Sequence, residues 1–266
     1  MNDPAQEFID NAKRNLMRRG GKGKPLPVHA PSTAPMWPPL FCDSPSHSEK
    51  RRKVFTYYEP IPGKTLVNDF KLLLLWKENW KHFGFDPVVL SEAQARLHPW
   101  YDEMDEKVKR LPSVNTPGYE RACYVRHVAY SVAGGGLCVD YDLFCYRPLT
   151  LSEIPHVEAA TAQLVCFQGH IPSMLFGSSL AFNALARAIL DYKVGEIDTE
   201  EFKRPHVSDM HILKNSPGDW KRDIPGLVKN FGELGWEVSP CVHWASSAMG
   251  KHQPKWKHIK ELRGEL

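Results

Sequence analysis

No apolar run in the 266 residues approaches the length of a membrane span, and the N-terminus lacks the hydrophobic stretch of a secretory leader. The expectation is a soluble, cytoplasmic protein with no transmembrane segment. Cysteine is sparse and wrongly spaced for metal or crosslinks. The six residues, at positions 42, 123, 138, 145, 166 and 241, form no Cys-x-x-Cys pair and sit mostly in apolar or strand-like surroundings. That argues against a zinc site and a disulfide framework and leaves reduced core residues. There is no internal repeat, and no low-complexity stretch outside the N-terminal region. What remains is one ordinary globular domain with an appendage, or at most two small domains.

Charge of one sign is scarce as well, at a formal +3. Residues 1–53 hold ten Lys or Arg against five Asp or Glu, which leaves 24 against 26 for the remainder. The positive excess therefore belongs to an arm, residues 1–52, that carries Arg18-Arg19-Gly20-Gly21-Lys22-Gly23-Lys24 and then Pro25, Pro27, Pro31, Pro35, Pro38 and Pro39. Such a segment cannot bury enough apolar surface to offset its ordering entropy, so a flexible basic, Pro-rich arm is expected. A short helix over Glu7 to Arg18 fits the spacing of Phe8, Ala12 and Leu16. A solvated tail outweighs a contact to nucleic acid or an anionic membrane, because charge runs are commonly just that.

The domain, residues 53–266, opens with the β-branched and aromatic run Lys53 to Glu59, ended by Pro60, Pro62 and Gly63. Thr65 caps a helix from Leu66 to about Phe83, with Phe70, Leu73, Leu74, Trp76, Trp80 and Phe83 at helical spacing and Gly84 closing it. Asp86 to Leu90 reads as a buried strand, giving β-α-β with a parallel pair. A helix over Ser91 to Leu97, an exposed segment over Tyr101 to Arg110 and a helix over Tyr119 to Val132 follow. Later come strands at Ala162 to Phe167 and Ser173 to Phe176, paired as a hairpin through Gly169-His170, and a Ser-capped helix to about Tyr192. A polar, irregular stretch over Val194 to Asp223 and a strand over Trp236 to Trp244 come next, followed by Ala245 to Gly250 and a basic end over Lys251 to Lys257. The fold class is α/β, a central mixed sheet flanked by helices.

The stretch Gly134-Gly135-Gly136-Leu137-Cys138-Val139-Asp140-Tyr141-Asp142-Leu143-Phe144 organises this domain. As an extended strand it projects Asp140 and Asp142 from one side and Leu137, Val139 and Tyr141 from the other. Two apposed carboxylates repel unless a cation or a donor relieves them, and a hard divalent ion such as Mg²⁺ or Mn²⁺ suits oxygen ligands. A strand end fraying into solvent also carries paired acids. Arg121 and Arg126 lie on the helix that feeds the glycine turn and offer planar donors for phosphate or sugar hydroxyls. The three glycines, Gly135 among them, permit close backbone approach to a ligand.

The order Asn115, Tyr119, Arg121, Cys123, Arg126, Ala129, Gly134-Gly135-Gly136 and Asp140-Tyr141-Asp142 resembles the Asp-x-Asp signature region of GT-A glycosyltransferases, nearest the capsular and glycan-building group. The likeness covers roughly residues 53 to 150, with the Gly84 to Leu90 stretch included, and is loose beyond. It implies a single GT-A-like domain using Mn²⁺ or Mg²⁺, with a UDP- or GDP-sugar as donor and a glycan or other hydroxyl acceptor. By that resemblance Asp140, Asp142 and His243 hold the metal, while Arg121, Arg126, Gly135, Asp140 and Lys251 face the donor. His243 can equally be a hydrogen-bonded core residue. Two alternatives stand beside glycosyl transfer: a catalytically silent GT-A-like binding protein, and a metal-dependent phosphoester or diphosphate hydrolase.

Overall fold

The computed structural model describes residues 51–61, 66–150, 152–154, 163–194, 205–245 and 254–262. Residues 1–50 of the basic arm, its Glu7 to Arg18 helix, the Thr65 cap and Lys251 lie outside the described residues, while Arg52, placed at the end of the arm, already belongs to the first strand. A six-stranded mixed sheet forms the centre, in the order β2-β1-β3-β6-β5-β7. Strand β1 (Arg52–Tyr57) runs parallel to β2 (Phe85–Leu90) on one side and to β3 (Gly135–Val139) on the other. Strand β3 is antiparallel to β6 (Met174–Ser178), β6 to β5 (Leu164–Cys166), and β5 is parallel to β7 (Lys221–Asp223). Pro87 is tolerated in β2 because that strand is the edge, where a missing N–H breaks no ladder on the open side.

Alternation along the strands divides the core in two. Val54, Leu137 and Val139 point toward helix α1 (Leu66–His82), whose Phe70, Leu73, Trp76 and Trp80 are buried against them. Phe55, Tyr57 and Cys138 point to the other face, covered by α3 (Tyr101–Arg110), α4 (Pro117–Val132) and α5 (Ser179–Asp191). Between α1 and α3 lies the short α2 (Glu92–Ala95). The expected exposed segment over Tyr101 to Arg110 is thus a helix. It is exposed on one side only, since Tyr101, Met104 and Val108 recur at spacings of three and four and are buried.

A smaller sheet, β4-β9-β8, packs on the α1 side. Here β4 (Leu143–Cys145) is antiparallel to β9 (Cys241–His243), which is parallel to β8 (Val228–Asn230). Leu143 and Phe144 therefore leave the central sheet instead of extending β3. Helix α1 holds β4 in place: Trp80 Nε1 donates to the Leu143 carbonyl at 3.1 Å, and the Asn79 carboxamide closes both backbone groups of Cys145 at 2.8 Å each. The polar stretch before Asp223 contains α6 (Asp209–Asn215), capped by Ser208, and the last described helix is α7 (Lys255–Leu262). Of the predicted late strand only Cys241–His243 is extended, while Trp236–Val238 is a 3-10 turn. No helix among the described residues is long and apolar enough to cross a membrane.

Gly135 begins β3 with φ of 76°, and a Cβ there would stand 2.2 Å from the Gly177 carbonyl oxygen and 2.6 Å from the Ser178 carbonyl carbon. Both obstacles are backbone, so neither can swing aside. Gly135→Ala is expected to cost about 3 kcal/mol or more, combining the left-handed backbone with overpacking. Urea denaturation measures this, and a loss under about 1 kcal/mol would show that the β3–β6 junction yields.

Candidate metal centre

Strands β1 and β3 are parallel neighbours, yet the chain leaves β1 toward β2 on the opposite side, with α1 on one face of the sheet and α4 on the other. Their carboxyl ends therefore flank the point where the sheet's winding reverses, the position at which open α/β sheets leave a crevice for ligands. Asp140 follows β3 there directly. The acids do not come together by strand alternation, as the sequence had suggested. The Leu143 N–H donates to the Asp140 carbonyl at 3.0 Å, closing a turn over Asp140 to Leu143. The Asp140 N–H donates to Ser173 at 2.8 Å, and the Asp142 carbonyl accepts from the Trp244 N–H at 2.9 Å. Both acids are thereby pinned between the two sheets.

The β4–β9 pairing sets His243 opposite Leu143, beside this turn. His243 Nε2 lies 3.4 Å from Asp142 Oδ1 and 3.7 Å from Asp140 Oδ2, and one ligand atom from each of the three residues falls within 4.8 Å of the others. The remaining oxygens are engaged. Asp140 Oδ1 accepts from Arg126 Nη1, and Asp142 Oδ2 accepts from Lys255 Nζ at the start of α7. Two carboxylate oxygens and one imidazole nitrogen are thus left facing one another. This donor set fits a six-coordinate divalent ion with open positions, Mn²⁺ better than Mg²⁺ because one donor is nitrogen. His243 Nδ1 is buried without a partner among the described residues.

Behind the acids stands a buried network. Arg126, 9% exposed, also donates from Nη2 to Asp209 Oδ2 at 2.7 Å and from Nε to the Cys123 carbonyl at 3.0 Å. His127 Nε2 meets the same Asp209 oxygen at 3.0 Å. Burial lowers the His127 pKa and keeps that ring neutral. Three carboxylates, of Asp140, Asp142 and Asp209, are therefore set against two cationic side chains, Arg126 and Lys255, with His243 beside the first two acids. The two neighbouring acids are driven apart. Burial raises Asp140, which Arg126 opposes and the Asp142 charge reinforces, with a net rise. For Asp142 burial is again the largest influence, but Lys255 and His243 overcome it and hold this carboxyl below the ordinary range. Burial lowers His243, and the two acids more than offset it, Asp142 first, so its pKa rises. Opposed shifts in adjacent groups are characteristic of functional sites.

Residues 45–200 match a family described as Domain of unknown function (DUF8765). The chain belongs to the DUF8765 family. A search of curated proteins finds none that matches. The DUF8765 segment carries Arg126, His127, Asp140 and Asp142, whereas Asp209, His243 and Lys255 come from beyond its end.

In this DUF8765 chain Arg121 is not brought to the acid pair. Its three guanidinium nitrogens meet Glu59 at 2.6 Å, Glu92 at 2.7 Å and Asp105 at 2.5 Å. These carboxylates follow β1, follow β2 and lie on α3, so Arg121 clamps the helical layer to the sheet. Gly135 sits at the opposite end of β3 from Asp140, against the β6–α5 junction, where packing already accounts for the glycine. The expected cap of the helix after β6 is Ser178, whose hydroxyl accepts from the Ala181 N–H at 3.3 Å. Asn183 is engaged by His98 at 2.8 Å and Ser131 at 2.7 Å.

Sequence reading missed Lys255, Asp209 and His127. The first was hidden among the lysines of the basic end. Asp209 carries a local signal only as the first residue after the Ser208 cap.

Proposed function

We propose that the protein is a divalent-metal-dependent glycosyltransferase, moving a sugar from a nucleoside diphosphate donor to a hydroxyl acceptor of glycan or similar type. One observation carries the reading: Asp140 Oδ2, Asp142 Oδ1 and His243 Nε2 face one another at the carboxyl end of β3, where the sheet reverses. The resemblance of the Asn115 to Asp142 stretch to GT-A enzymes supplies the substrate class. A divalent ion held by these three groups would supply charge neutralisation to the departing diphosphate. Arg126 takes up one oxygen of Asp140 and so orients the other toward Asp142 and His243, and Asp209 holds Arg126 in that attitude.

A second reading, a silent binding protein, has its own support, since Arg126 and Lys255 already neutralise one oxygen of each acid. The two readings share donor binding and differ in turnover. Thermal melts of the full chain with Mn²⁺, with UDP- and GDP-sugars, and with both together test the shared part. Mn²⁺ with the right donor is expected to stabilise by about 2.7 kcal/mol at a hundredfold excess over Kd, with little effect from nucleotide sugar alone. Absence of any metal-dependent shift across the donor panel overturns both. Release of nucleoside diphosphate from the stabilising pair then separates transferase from binder.

A further inference from the structure

Lys255 stands where the chemistry proposed above needs an open flank. Its ammonium rests on Asp142 Oδ2, while Asp142 Oδ1 is the oxygen turned to His243 and Asp140. A divalent ion taking Oδ1 would share one carboxylate with a cation on its other oxygen, at a separation where like charges in a partly buried setting repel strongly. One of the two must yield. Arg126 stands in the same relation to Asp140 but cannot retreat, being buried and bound to Asp209 and to the Cys123 carbonyl as well as to Asp140. Lys255 reaches the acid by a flexible stem from the first residue of α7, and its side chain is 20% exposed.

With Lys255 withdrawn, Arg126 is, among the described residues, the one cationic side chain still paired with the two site acids, which leaves room there for a further positive charge. Helix α7 does not depend on Lys255 for its seat. Ile259 is buried, Trp256 Nε1 donates to Asn68 Oδ1 at 3.0 Å, and Lys71 Nζ lies 3.9 Å over the Trp256 ring. The His258 ring meets Phe231 and Trp244 edge-on at 5.5 and 5.8 Å. The side chain can swing away while the helix stays docked.

We propose that Lys255 is the resident counter-ion of Asp142, and that a divalent cation taken up by Asp140, Asp142 and His243 displaces its ammonium. Metal uptake is then an exchange of cations. This rests on reading the three residues as a cation site. Calorimetric titration of Mn²⁺ alone into the full chain tests it in wild type, Lys255→Met, Lys255→Gln, Lys255→Arg and Asp142→Asn. The two neutral variants are expected to bind Mn²⁺ about tenfold tighter, the equivalent of one pKa unit of charge perturbation, and Lys255→Arg no tighter than wild type. Unchanged or weaker binding in both neutral variants, with binding lost in Asp142→Asn, overturns the exchange and leaves the cation site standing. Wild-type binding in Asp142→Asn overturns the site and the exchange together. A measurement on the unaltered protein guards against a variant that does not fold: amine-reactive labelling, read at Lys255 by mass spectrometry, should accelerate several-fold when Mn²⁺ is added. An unaccelerated rate at saturating Mn²⁺ also overturns the exchange.

Discussion

Asp142→Asn is expected to lower Mn²⁺ affinity by more than about a hundredfold, since even partners one layer outside a metal's ligands are worth ten- to a hundredfold. Under the proposed function, sugar transfer should fall by orders of magnitude with it, because a departing diphosphate would lose its neutralising ion. Asparagine keeps the volume of the side chain and removes its charge, so the change is electrostatic. Relief of the Asp140–Asp142 repulsion alone would stabilise the metal-free protein. The structure sets a loss against that gain, since Asp142 is paired with Lys255 and its carboxyl is held below the ordinary range. Both partners keep some solvent access, so the net change in stability is expected to stay within about 1 kcal/mol. Calorimetry with Mn²⁺ and a urea melt measure the two quantities. Wild-type Mn²⁺ affinity in the variant would remove Asp142 from the metal centre.

Arg126→Met is expected to have the opposite balance, a large loss of stability of about 3 to 5 kcal/mol at neutral pH. Methionine fills most of the space but leaves the buried Asp209 and the partly buried Asp140 without their shared cation, and a broken buried pair costs far more than an intact one contributes. The pH dependence carries a definite sign. Without Arg126 both carboxyls are raised in the folded state above their unfolded values. The folded chain then binds more protons, and stability falls as pH rises through the carboxylate range and beyond. The variant should therefore lie closer to wild type near pH 5 than near pH 8. In the wild type Asp209 behaves the other way, because Arg126, and after it His127, overcome the burial that would raise it. A variant that melts with wild type at both pH values would show that Arg126 does not buttress the acids.

The sequence was most legible where local pattern and burial coincide. The β-branched run of β1, the Phe and Trp spacing of α1 and the glycine at its end are periodic signals, and the β-α-β opening follows from them. Asp140 and Asp142 were visible as paired acids after an apolar run. Their geometry was not, because an Asp140 to Leu143 turn and an extended strand both bring positions i and i+2 together. Helix α3 was misread because seven of its ten residues are charged and only Tyr101, Met104 and Val108 bear the apolar stripe. Arg121 and Arg126 illustrate the limit of reading a helix alone. They lie five positions apart on α4, and only the tertiary structure shows that one faces Glu59, Glu92 and Asp105 while the other lies under the acid turn. Lys255 and Asp209 meet their partners across 113 and 83 positions, a separation at which no periodicity speaks.

The β4–β9 ladder also bears on when this protein becomes competent. Its Cys145–Cys241 pair joins residues 96 positions apart, and the same ladder delivers His243 to the acids. Closing so long a loop carries an entropic toll before any contact rewards it, so the pairing belongs among the slow events of folding. Strands β1, β2 and β3 can assemble from the first half of the chain as it is synthesised. A nascent chain halted before Cys241 would hold both acids and Arg126 and still lack the imidazole. The proposed cation site is thereby complete only once this ladder has formed.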